Sequence, residues 1–177
     1  MHCWPARRKW RPAVNELVLK TLVDDQDAQR ILAAKAPGLR VESAKLRHHP
    51  FAGFIFEVPQ LAGRSGQAHA LVDYYSGKAF VCDPWQAEDA ETGQVLDRVA
   101  DPQWNTIDFD TARRRAKALL STAALRRARL AWRGGVREKS SVAKVWKPNW
   151  MIEASLEKKS YRVMVDGLNG GYFIIGS

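Results

Sequence analysis

A stretch that occurs twice constrains this chain more than anything else in it. Residues Ala68 to Val81 read Ala-His-Ala-Leu-Val-Asp73-Tyr-Tyr-Ser-Gly77-Lys-Ala-Phe80-Val81, and Tyr161 to Ile174 repeat the pattern as Tyr-Arg-Val-Met-Val-Asp166-Gly-Leu-Asn-Gly170-Gly-Tyr-Phe173-Ile174. Each copy combines an apolar run, an Asp-x-x-[Ser/Asn]-Gly turn and a second apolar run, which predicts strand, turn and strand. The turn residues have physical reasons. The Asp73 and Asp166 carboxylates can accept from backbone N–H groups inside the turn, and Gly77 and Gly170 can take the positive φ that a side chain resists.

The surroundings repeat as well. Pro50 and Pro148 stand 98 residues apart and Asp73 and Asp166 stand 93 apart, because the loop before the second hairpin is five residues shorter. Asp24 or Asp25 predicts the start of a helix carrying Ala28, Ile31, Leu32 and Ala36, ended by Pro37-Gly38. Asp108 or Asp110 predicts a longer one, striped by Ala112, Ala116, Leu119, Leu120 and Ala123 and running to about Trp132 before Gly134-Gly135. Strands are expected over Val41–His48 and Phe51–Val58, then over Val142–Pro148 and Met151–Leu156, each first member ending at its proline. The fold class is therefore α+β: two similar modules, each a helix packed on an antiparallel β-meander. The divisions are a basic N-terminal arm (1–13), a first module (14–83), an acidic connector (84–105) and a second module (106–177).

Charge is the one compositional extreme. The net charge is +9, yet Asp83 to Asn105 holds six acids against Arg98 alone, so the rest of the chain is more basic still. A basic body suits nucleic acid, anionic lipid or an acidic protein, or serves solubility. No apolar run approaches the ~20 residues that span a bilayer. Arg7, Arg8, Lys9 and Arg11 are not followed by the apolar segment of a signal peptide, so a cytoplasmic location is expected. Cys3 and Cys82 make no disulfide framework and read as free thiols.

A helix followed by a β-meander, with Val145-Trp146-Lys147-Pro148-Asn149-Trp150 before the middle strand and Asp166-Gly167-Leu168-Asn169-Gly170 in the last hairpin, resembles the PepSY-like and cystatin-like modules. His49-Pro50-Phe51 and Asp73 to Gly77 match in part. The resemblance implies a binding or regulatory domain, often exported and in some cases associated with peptidases, with no shared catalytic residues to carry over.

Chemistry-bearing clusters are few. His48, His49 and His69, with Asp73 or Cys82, form the one cluster that could hold a metal or act as acid and base, but their spacing matches no zinc signature. No phosphate loop or nucleophile elbow occurs, so neither cofactor nor catalytic residue is assigned. The basic helix, with Arg113, Arg114, Arg115, Lys117, Arg126, Arg127, Arg129 and Arg133, could contact phosphates with help from Arg7, Arg8 and Trp10. Alternatively, those arginines cover the sheet and complement the helix dipole. In the strand Phe51–Val58, Phe54 and Phe56 share one face while Phe51 and Ile55 share the other, so both faces need cover. The expected function is a non-catalytic binding module for a protein partner or for self-association. The candidate surface is Arg113, Arg114, Lys117, Arg126, Phe51 and Trp150. Nucleic-acid binding through the helix, and a small hydrolase or metal protein through the histidines, are the alternatives.

Overall fold

A computed structural model describes residues 16–59, 65–88, 96–99, 101–128 and 135–176. Two long strands frame it. β2 (Arg40–Pro59) and β5 (Arg137–Leu156) pair antiparallel from Arg40 opposite Ser155 to Glu57 opposite Arg137. Both run straight through the prolines at which breaks are expected. The reason lies in where the missing N–H would point. His48 N–H donates to the Asp97 carbonyl and the Trp146 carbonyl accepts from Leu19 N–H, both away from the β2–β5 ladder. Pro50 and Pro148, two residues on, face the same way.

At those points each strand changes its outer neighbour. β2 passes from the Asp97–Val99 segment to β3 (Ser65–Asp73), whose pairing begins at Phe51. β5 passes from β1 (Glu16–Val18) to β6 (Lys159–Asp166), whose pairing begins at Asn149. The prolines sit in the gaps, so no ladder bond is lost. With β4 (Ala79–Cys82) beyond β3 and β7 (Tyr172–Gly176) beyond β6, the strand order is β4-β3-β2-β5-β6-β7. The result is one mostly antiparallel sheet curled into a half-barrel.

This corrects the expectation of two helix-on-meander modules. α1 (Asp25–Lys35) and α2 (Phe109–Ala128) form from the expected caps, Asp24 accepting from Asp27 N–H and Asp108 from Thr111 N–H. Each helix, however, packs on the other half of the chain. α1 buries Ala28 and Leu32 against Ile152, Ala154, Val163 and Val165. α2 buries Ala112, Ala116, Leu120 and Ala124 against Ala52, Phe54, Phe56, Ala70 and Val72. Even-numbered residues of β2 and β5 share a face, since His48 lies opposite Pro148, so both helices cover the same side. The short leading segments cross over too: Val18 pairs parallel with Trp146, and Arg98 bridges in the same sense to His48.

The repeated turns hold the exchange. Asp73 accepts from Tyr75 N–H, and Asp166 accepts from Leu168 N–H. Leu22 and Val23 donate to the Gly167 carbonyl, while Thr106 donates to the Tyr74 carbonyl, so the approach to each helix hangs on the opposite half's turn. Gly77 and Gly170 have φ of 66° and 73°. Close approach gives a second reason for glycine. A Cβ on Gly170 would come within 2.6 Å of Ile31 Cδ1, and one on Gly77 would collide with the Arg115 guanidinium, which donates to the Gly77 carbonyl at 2.7 Å. The expected extension of α2 to Trp132 and the basic arm lie outside the described residues.

The exchange predicts a coupling. Gly170→Ala should destabilise by about 1 kcal/mol or more through left-handed strain alone. Its cost should fall by about 0.5 kcal/mol or more in an Ile31→Ala background, because the two residues touch. Additive costs in denaturant melts would mean that α1 does not rest on the second turn. Glu157 and Lys158, the turn between β5 and β6, both take positive φ, at 48° and 67°. Replacing the pair by Asn-Gly, which such a two-residue turn favours, should raise stability by about 1 kcal/mol.

Candidate functional site

The sheet face away from the helices carries a buried polar group at its centre. Odd-numbered positions of β2 and β5 place His49, Lys147 and Asn149 together there, beside Phe51 and Val145. The Lys147 ammonium, 3% exposed, lies 2.8 Å from Asp166 Oδ1 and donates to Asn149 Oδ1 at 2.6 Å. Because Asn149 offers its oxygen to Lys147, its amide N–H₂ faces His49 Nδ1 at 2.9 Å, which must then accept. That assigns His49 the neutral Nε2–H tautomer. Burial first, then the Lys147 and Arg47 charges, hold its pKa down at about 4. Burial also pushes Lys147 below its usual range, while Asp166 pulls it back up. Lys147, Asp166, Asn149 and His49 Nδ1 are joined in one hydrogen-bonded group, which reads as an internal clamp between the two halves.

The histidines do not converge. His69 pairs across from Ile55, six residues along β2 from His49, so roughly 20 Å separates them. His69, which takes the place of Arg162 in the second copy of the repeat, has its ring edge-on to Trp85 with Nδ1 buried and without a partner among the described residues. His48 is buried on the opposite face from His49, and its Nδ1 also lacks a partner. Among the described residues no three His, Cys, Asp or Glu side chains are grouped as a metal site.

The helix arginines are engaged individually. Arg113 pairs with Asp110 at 2.7 Å and with Glu138 at 3.0 Å, and its guanidinium lies over the Phe109 ring. Arg114 donates to Thr111 Oγ1, Arg115 is spent on Gly77, and Lys117 is exposed. Arg126 lies in α2, and its side chain is outside the described residues. Of the two aromatic candidates, Phe51 belongs to the interior and Trp150 to the margin of the α1 cluster. Phe51 is 6% exposed and packs edge-on to Phe80, and Trp150 donates its indole N–H to the Val23 carbonyl beneath α1. Phe51 thus offers no surface, while Trp150 is half-buried.

What sequence reasoning missed is the outer strand β7. Tyr172, Phe173, Ile174 and Ile175 are 41%, 55%, 63% and 50% exposed, on both faces of an edge. The matching strand of the first half has one large apolar residue as exposed, Val81 at 51%. Phe80 and Cys82 are half-buried beside Trp85 and Leu19, and Ala79 packs under α2. The cause is helix length: α2 has 20 residues and reaches β4, whereas α1 has 11 and stops over β5 and β6. A run of four large apolar residues without alternation was the available signal.

No protein-family model, curated protein or solved structure matches this chain. The likeness to PepSY-like and cystatin-like modules thus stands on its turn residues alone. No described helix is long and apolar enough to cross a membrane.

The clamp makes stability depend on pH with a definite sign. His49 stays neutral in the fold down to about 4, while the unfolded chain takes up its proton near 6.5. The stabilisation is complete above pH 6.5 and drains away as pH falls toward 4, by at most about 3 kcal/mol. His48 and His69, also lowered by burial, act in the same direction. His49→Gln should flatten the acid limb of a urea-stability profile, and an unchanged limb would remove His49 from the account. Lys147→Ala, which strands the Asp166 carboxylate, should cost about 3–5 kcal/mol. Lys147→Ala with Asp166→Asn should cost less than the single change.

Proposed function

We propose that this chain is a binding module without chemistry of its own, and that its working surface is the β7 edge, which accepts an extended polypeptide strand. One observation carries the reading: a sheet edge with four exposed apolar side chains, whose outer backbone groups pair with no described residue. Edge strands of soluble proteins are ordinarily blunted by charge, proline, brevity or cover, because an open one recruits another strand. Between Tyr172 and Gly176 there is no charge and no proline. Main-chain hydrogen bonds would supply affinity, and the alternating side chains selectivity. The half-buried free thiol of Cys82 suits a reducing, cytoplasmic setting.

The ion pairs on α2 weigh against the nucleic-acid alternative, since Arg113 is already neutralised by two acids. The test places a benzophenone photocrosslinking side chain at Ile174 or at Lys117 of the full chain in cells. Crosslinked polypeptide from position 174 and none from position 117 is the expected result. Crosslinks from position 117 alone, or a shifted oligonucleotide at physiological salt that returns to free with Arg113→Gln, Arg114→Gln and Lys117→Gln combined, would sink the proposal.

A further inference from the structure

Beyond the β7 edge, we infer that the second repeat's sheet face away from the helices is a docking site for an extended polypeptide, which lays an aromatic side chain flanked by acidic residues across Met151 and Met164. The two repeats set matching residues in a row on this face. In the first, Gly53 lies opposite Leu71 and Leu71 opposite Phe80. In the second, Met151 lies opposite Met164 and Met164 opposite Phe173. The spacings are 98, 93 and 93 residues, the same as for the two prolines and the two aspartates. The first row is covered by the chain itself. Trp85 rests there, its ring 3.3 Å from where a Cβ on Gly53 would stand, in one cluster with Leu71 and Phe80. Two backbone bonds hold residues 83–88 in place: Lys20 N–H donates to the Gln86 carbonyl and Glu88 N–H to the Val18 carbonyl.

The second row has no such cover among the described residues. Leu71 is fully buried, whereas Met151 and Met164 are half-buried and belong to none of the three apolar clusters, and Phe173 is 55% exposed. Their chemistry suits an aromatic guest. Unbranched thioether side chains reshape around a ring and make favourable sulfur–aromatic contacts, and Phe173 offers a ring for edge-on packing. Charge supplies the rest of the guest's character. Arg47 is taken by Asp97 at 3.1 Å, and Arg162 stands 3.7 Å from Glu153. Lys45, exposed and directly across from Met151, pairs with no described residue, so a cation stands uncompensated beside the apolar row. The segment seated on the first row carries the complementary sign, with Asp83 and Glu88 on either side of Trp85. The first repeat thus shows, within one molecule, the kind of ligand that the second is shaped to receive.

Methionine-methyl NMR on the full chain tests this, because Met151 and Met164 are two of its three methionines. The probe is a blocked synthetic peptide, Asp-Pro-Trp-Gln-Ala-Glu, the sequence of residues 83–88. The expected result is a saturable upfield shift of both methyl signals, caused by the ring current of the guest. Replacing the peptide's Trp by Ala should weaken binding roughly tenfold or more, and replacing its acids by Asn and Gln about two- to fivefold. Lys45→Glu and Phe173→Ala, both at exposed sites, should weaken it as well, and unchanged thermal melts by circular dichroism confirm that these variants fold. Methyl signals unmoved at millimolar peptide, or moved equally by the Ala peptide, would overturn the proposal. So would shifts produced by an oligothymidylate and not by the peptide, or shifts that appear on concentrating the protein alone, which would seat a second copy on the face. None of these results touches the β7 edge reading, since Ile174 lies opposite Val163 on the helix side and its crosslinks report that edge separately.

Discussion

The antiparallel union of β2 and β5 is the constraint on which everything else rests. It joins the two repeats into one sheet, and it brings Lys147 and Asn149 of one beside His49 of the other. A buried ammonium is tolerable only when acceptors surround it, and two of them, Asp166 and Asn149, are fixed by strand register. A slip of one residue would send Lys147 to the helix side among apolar neighbours. The ion pair therefore specifies alignment, and the apolar clusters on either side supply most of the stabilisation.

Crossing the helices over is a consequence of how the repeated turns are used. Each turn reserves the carbonyl after its aspartate, Tyr74 or Gly167, for a segment arriving from the other repeat. A glycine at its far end clears space for that repeat's helix, at Arg115 in one case and Ile31 in the other. Identical positions serve different chemistry, a guanidinium on a carbonyl in one half and an apolar contact in the other. The geometry is shared although the side chains are not.

Local features were legible in the sequence because they depend on a few adjacent residues. The caps at Asp24 and Asp108, the turns at Asp73 and Asp166 and the helix faces at Ala28, Leu32, Ala112 and Ala116 are of this kind. What did not show was anything set by partners more than 80 residues away. Periodicity says that Ala28 and Leu32 face something apolar, but not that it is Ile152 and Val163. Pro50 and Pro148 read as strand ends because the sequence does not reveal that their outer neighbours change there. Phe51 read as a surface residue because two apolar faces on one strand suggest a partner, whereas Lys147 and Phe80 supply the cover. Lys147 itself gave no sign beyond its place between Trp146 and Pro148.

The crossed helices bear on how the chain acquires its structure during synthesis. When the first repeat has left the ribosome, α1 and β1 lack most of the surface they dock on, since Ile152, Val163 and Trp146 are still untranslated. β2 and β3 can pair, but Phe54 and Phe56 stay bare until α2 arrives. The β2–β3 and β3–β4 ladders can form early, but the β2–β5 ladder, from Glu57 opposite Arg137 to Arg40 opposite Ser155, waits for the second repeat, which makes for slow assembly with apolar strands exposed meanwhile. The core is complete only once the second repeat has laid α2 over Phe54 and Phe56 and has brought Ile152 and Val163 beneath α1.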